Sequence, residues 1–175
     1  MNLLDELKLI GNKYLTARAE FLADVNKLYD KHQSTELSGN DNIIGRIGEF
    51  VAFQYLKDLG CDIVKPKNLK SNPAFDFICN KHNHKISVKT ITAENEKGRT
   101  TRVKKPWDLF ILVEIGSNQK VERIGVITSK QFATAIKKNP KRSKQPFASR
   151  TMLNAKGLIG EFGEIVSKDM TDNYL

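Results

Sequence analysis

Cysteine is scarce in this chain. Its two thiols, Cys61 and Cys79, form no CxxC pair and have no His/Cys set nearby at zinc-finger spacing. That pattern points away from a disulfide framework and from a structural zinc site, and makes reduced thiols the expectation. Long apolar runs are missing as well, since no stretch approaches the roughly 20 residues of a membrane-spanning helix. The opening Met1-Asn2-Leu3-Leu4-Asp5-Glu6 carries acids where a secretory signal carries a basic region. These absences predict a soluble, cytoplasmic protein with no membrane partner. No repeat with a period of about 20–50 residues is present, and the recurrence of Gly48-Glu49-Phe50 as Gly160-Glu161-Phe162 is taken as coincidence.

What is abundant is positive charge, and its position matters more than its net value of +9. Residues 1–60 hold 7 Lys/Arg against 9 Asp/Glu, residues 61–150 hold 20 against 7, and residues 151–175 hold 2 against 4. An excess confined to the middle of the chain favours a polyanion-binding face, because neutralised phosphates release counterions and supply most non-specific nucleic-acid affinity. A solvated lysine-rich surface is the plainer alternative. With 175 residues and 39% hydrophobic content the chain can bury a core of its own.

Apolar residues at Leu3, Leu7, Ile10, Tyr14, Ala17, Phe21 and Leu28 predict an amphipathic helix over residues 2–32, within an N-terminal segment 1–36. Its stripe either packs on the rest of the chain or joins a second copy as a homodimer. Ser34 to Asn42 reads as a polar linker ahead of the main domain, residues 41–175. A second helix, 42–59, has Asp41 or Asn42 as cap, Ile43, Ile47, Phe50, Val51 and Tyr55 at helical spacing, and Gly60 at its C′ position. A short strand at 61–64 follows, then a hairpin from 75–79 and 85–91, strands at 108–115 and 121–127, and a helix capped by Ser129 with Phe132, Ala135 and Ile136 inward. This order is α/β with a mixed sheet flanked by helices. The tail, 157–166, is expected to cover the same domain.

Strand alternation gives the hairpin its interest. Lys85, Ser87, Lys89 and Ile91 share one face and Ile86, Val88 and Thr90 the other, so Ile86 and Val88 are expected in the core while Ser87 and Lys89 look out together. Asp76 lies on the partner strand. Helical Gly45-Arg46-Ile47-Gly48-Glu49-Phe50-Val51-Ala52, then Asp76, then Ser87-Val88-Lys89-Thr90 stand in an order that resembles the PD-(D/E)XK nuclease superfamily, the restriction-endonuclease-like fold that also includes Holliday-junction resolvases. The likeness spans roughly residues 41–128.

The resemblance implies a Mg²⁺-dependent DNA endonuclease, with Mn²⁺ as an alternative ion, acting on double-stranded or branched DNA. It implies Asp76 as the principal metal ligand, Glu49 reaching the metal directly or through water, and the Val88 carbonyl as a ligand that needs no particular side chain. Lys89 positions and polarises the attacking water in this scheme. Ser87 departs from the pattern, standing where the family most often has Glu, Asp or Gln, and no proline directly precedes Asp76. Glu94, Glu96 or Glu114 are candidates for a displaced carboxylate.

Two basic loops are candidates to grip DNA: Arg99, Arg102, Lys104 and Lys105 with the adjacent Trp107, and Lys141 and Arg142 after the helix capped by Ser129. Trp107 is equally suited to the core as the lead-in to a strand. His82 and His84 fall at the hairpin turn without acidic or thiol partners, which fits a solvated or phosphate-contacting turn better than a metal site. Two further functions stay open on sequence: a nuclease-fold DNA-binding protein that has lost cleavage, and a protein-interaction or inhibitor module reusing the fold.

Overall fold

The structure is a computed structural model that describes residues 3–32, 43–66, 75–95, 97–166 and 171. Two compact units divide the chain, Met1–Ser38 and Gly39–Leu175. The first contains helix α1 (Leu3–His32), whose Leu9, Ile10 and Tyr14 are exposed. The expected linker at 34–42 and the caps Asp41 and Asn42 lie outside the described residues.

The second unit opens with α2 (Ile43–Asp58). Gly60, at φ +73°, ends it: the Gly60 N–H donates to the Lys57 carbonyl at 2.8 Å and the Cys61 N–H to the Leu56 carbonyl at 3.0 Å. This is the paired closure that a left-handed residue at C′ permits, and it satisfies carbonyls the helix would leave orphaned. Strands β1 (Ile63–Val64), β2 (Phe77–Cys79), β3 (His84–Thr92), β4 (Arg99–Arg102), β5 (Leu109–Ile115) and β6 (Val121–Thr128) follow. Then come α3 (Ser129–Lys138), β7 (Phe147–Ser149), a 3-10 turn (Arg150–Leu153), α4 (Leu158–Phe162) and β8 (Glu164–Val166).

The principal sheet has the order β1-β2-β3-β5-β6-β8. Its pairs are antiparallel except β3 with β5, which run parallel from Ile86↔Leu109 to Thr92↔Ile115. The expected mixed α/β sheet flanked by helices is therefore present. The tail covers it, with β8 adding a strand beside β6 and α4 packing behind.

Both faces of β3 and β5 are covered. On one, Ile86, Val88, Ile111 and Val113 pack with Val51, Ala52, Tyr55 and Leu56 of α2. On the other, Ile91, Phe110 and Leu112 meet Trp107, Phe132, Met152, Leu153 and Ile159. Each large side chain buried here contributes roughly 1.5–3 kcal/mol. Gly48 allows α2 to lie close, because a Cβ there would fall 1.8 Å from Thr90 Oγ1.

Three expectations need correction. Ser87 does not look out to solvent but is 1% exposed, since a parallel pair at the centre of a sheet has layers on both sides. The cap of α3 is Thr128, not Ser129: its Oγ1 accepts from the Gln131 N–H while the Gln131 side chain accepts from the Thr128 N–H. Residues 99–102 form β4 rather than a basic loop, pairing with β7 in a separate two-stranded sheet.

Candidate active site

β2 begins at Phe77, two residues later than the expected strand, and Asp76 directly precedes it. The Asp76 N–H donates to the Ile86 carbonyl at 2.7 Å, continuing the ladder, while its Oδ2 accepts the Val88 N–H at 2.6 Å. The carboxylate thus stands in for the backbone partner that β2 no longer supplies. In a strand, the N–H and C=O of one residue face the same neighbour, so the Val88 carbonyl opens onto the edge that Asp76 occupies.

The Lys89 ammonium, the Val88 N–H, Lys65 and the Ser87 hydroxyl all favour the charged form of Asp76. Burial nevertheless outweighs all of these and holds the Asp76 carboxyl above the usual carboxylate range. Glu49 approaches from α2. Lys65, immediately after β1, donates to its Oε2 at 2.8 Å. Burial raises the Glu49 pKa as well, against the lowering effect of Lys65, and the field of Asp76 pushes it further up.

Glu49, Asp76, Ser87, Val88 and Lys89 are therefore gathered at one sheet edge, with Lys65 as a sixth member that sequence reasoning missed. Lys65 sits 16 residues from its partner in an irregular segment, where no periodicity could tie the two together. Among the described residues no third His, Cys, Asp or Glu joins the two carboxylates in a metal-holding group. Glu114 is occupied elsewhere. It is 3% exposed, receives Arg123 Nε at 2.5 Å and Arg150 Nε at 3.2 Å, and so is a structural carboxylate rather than a displaced ligand. Glu94 is exposed in the turn after β3, and Glu96 and the segment before Asp76 at 72–74 lie outside the described residues.

The basic candidates divide by what holds them. Lys104 and Lys141 are exposed. Lys105 instead lays its ammonium 3.7 Å from the centre of the Trp107 ring and donates to the Trp107 carbonyl at 2.9 Å, where burial lowers its pKa. Trp107 itself is a core residue, 5.4 Å from the Phe132 ring. Arg142 bonds Glu161 at 2.8 Å beside Lys138, a pair that holds the Glu161 carboxyl below its ordinary range. Arg99 and Arg102 flank Phe147, at 4.8 and 4.2 Å from its ring centre. His82 and His84 are exposed with rings 5.4 Å apart.

No family model and no curated protein matches the chain. Among solved structures it is similar to a bacterial homing endonuclease, with 15% sequence identity and a TM-score of 0.39, over 65% of this chain and 80% of that one. A likeness this loose carries no weight for the site, whose chemistry rests on its own geometry. Among the described residues no helix is long and apolar enough to cross a membrane.

Proposed function

We propose that the chain is a Mg²⁺-dependent DNA endonuclease of the PD-(D/E)XK type, hydrolysing phosphodiester bonds in double-stranded or branched DNA. The observation that carries this reading is the convergence of two half-buried carboxylates, Glu49 and Asp76, with Lys89 and the open Val88 carbonyl at one sheet edge. The donor set fits the ion. It is oxygen only, and Mg²⁺ takes one or two carboxylates while keeping several of its waters. Burial disfavours the charge on both carboxylates, a penalty that a divalent cation beside them relieves.

Asp76, Glu49 and the Val88 carbonyl would hold the ion. When bound, it supplies charge neutralisation at the scissile phosphate and a more acidic water. Lys89 donates to the attacking water and orients its lone pair toward phosphorus. The Val88 N–H fixes one oxygen of the Asp76 carboxylate, so the ligand arrives already oriented. Lys65 holds Glu49 in place and offsets part of its charge. The partner proposed for α1 is a second copy of the chain, which would cover the exposed Leu9, Ile10 and Tyr14.

One observation favours a second reading, DNA binding without cleavage. Ser87 contributes no charge, and Lys65 already neutralises Glu49, so the site is one carboxylate weaker than the family pattern. The same experiment separates the two. Wild type and Asp76→Ala are compared on plasmid and junction DNA with Mg²⁺ and Mn²⁺ at low salt. Cleavage by wild type that the variant loses by at least about a hundredfold supports the nuclease, binding without cleavage by either supports the second reading, and equal cleavage by both removes Asp76 from the chemistry.

A further inference from the structure

The β4–β7 ribbon contains an irregularity that turns two arginines to the same side. Arg99 lies opposite Ser149 and Arg102 opposite Phe147, so four residues of β4 span only three of β7. On a regular strand, residues three apart point to opposite faces. The extra residue of the bulge cancels that alternation and re-aims one side chain, leaving both guanidinium groups against the ring of Phe147. Ala148 points the other way, fully buried against the core. The ribbon therefore has an apolar inner face and an outer face carrying Arg99, Phe147, Arg102 and Ser149.

These arginines are used differently from others in the domain. Arg123 and Arg150 clasp Glu114, and Arg142 clasps Glu161. Arg99 and Arg102 have no ion pair among the described residues, and Arg102 spends one N–H on the Gln145 carbonyl at 2.9 Å. Stacking on an aromatic ring fixes the plane of a guanidinium while leaving its edge free, which suits it to grip two acceptors at once. The chain draws most of its 29 basic residues from lysine, yet this face carries arginine.

The ribbon is also tied to the catalytic strand. The Arg150 N–H donates to the Gly98 carbonyl at 3.0 Å, and its guanidinium bonds the Thr92 carbonyl at the end of β3. Lys89 and Thr92 are separated by about 10 Å of strand, equal to roughly three base-pair steps. A two-stranded ribbon is of a width the major groove admits.

We propose that the outer face of the β4–β7 ribbon reads guanine edges in the major groove of duplex DNA, Arg99 and Arg102 each donating to a guanine O6/N7 pair. This rests on the DNA reading of the chain and adds to it a specificity element. Phe147 is the positioning residue.

The full-length wild type is first used, in EDTA, to enrich sites from a randomised duplex pool. Binding of the enriched duplex is then compared with copies carrying 7-deazaguanine, which removes N7 without changing charge, or methylphosphonate linkages, which neutralise single phosphates. Enrichment of guanine is expected, with about a tenfold loss of affinity for the 7-deaza duplex. The Arg99→Lys/Arg102→Lys double variant keeps the charge and should bind both duplexes within a factor of about two of one another, because lysine does not reproduce the bidentate grip, while each single variant should keep part of the penalty through its remaining arginine. Circular dichroism verifies that the variants are folded. If 7-deazaguanine costs nothing, or costs wild type and lysine variants equally while methylphosphonates carry the loss, the ribbon grips backbone and the proposal is overturned, with DNA binding intact. If folded wild type binds no duplex at any salt, the DNA reading itself falls.

Discussion

At the residue scale, Asp76 joins two roles that pull against each other. It completes a backbone ladder by accepting the Val88 N–H, and it keeps a negative charge where burial opposes one. Because its folded pKa is raised above the unfolded value, the folded state holds a proton more tightly, so stability falls as pH rises through the interval between the two. Asp76→Asn preserves the acceptor and removes the charge. In EDTA it should melt above wild type at neutral pH, and the gap should close as pH is lowered past the folded pKa of Asp76. Melting curves across acid to neutral pH check this. A variant that melts below wild type throughout would mean that Lys89 and Lys65 more than compensate the burial. Ser87 is the complementary case. Ser87→Asp adds an anionic oxygen beside Asp76 and should lower the Mg²⁺ concentration needed for half-saturation by about tenfold. Calorimetric titration reads this directly, and weaker binding would show that the introduced carboxylate pairs with Lys89 instead.

At the scale of elements, the packing of α2 on β3 sets where Glu49 sits relative to Asp76. A glycine in a helix interior ordinarily weakens it by about 1 kcal/mol relative to alanine, so Gly48→Ala would stabilise α2 in isolation. Here the new methyl would meet Thr90. The net effect should be a destabilisation of about 1–3 kcal/mol from overpacking, measured by urea unfolding. Thr90→Ala should remove most of that penalty, giving a coupling of more than about 1 kcal/mol in the double-mutant cycle. Additive behaviour would mean that α2 slides to accommodate the methyl, and the Glu49–Asp76 relation would then be adjustable rather than fixed.

For the whole molecule, the positive excess of residues 61–150 is divided among different tasks. Arg123, Arg142 and Arg150 are committed to internal carboxylates and Lys105 to an aromatic ring, whereas Lys104 and Lys141 are exposed, so under the proposed DNA reading these two are the ones offered to phosphate. Replacing these two by glutamine should reduce the slope of log affinity against log salt by about two units, close to one for each phosphate that is no longer neutralised. Anisotropy titrations at several salt concentrations measure it. An unchanged slope would put the phosphate-binding groups elsewhere on the molecule.

The chain's local patterns determined much of this by themselves. Helical spacing marked α2 and its glycine stop, alternation marked the β2–β3 hairpin, and the order of Glu49, Asp76 and Lys89 marked residues that the fold brings near one another, because periodicity and short-range turn chemistry are written in neighbouring residues. Tertiary structure decided what depends on distant partners. Whether Ser87 faces water is set by the parallel neighbour β5 and the layer beyond it, not by β3. Lys65 reaches Glu49 only once β1 lies beside β2, and Glu114 belongs to two arginines supplied by β6 and the 3-10 turn. The bulge that aligns Arg99 with Arg102 exists only in the pairing of β4 with β7, which lies far later in the chain. Such pairings are selected by burial and hydrogen-bond satisfaction over the entire fold, and a single strand's alternation contains no record of them.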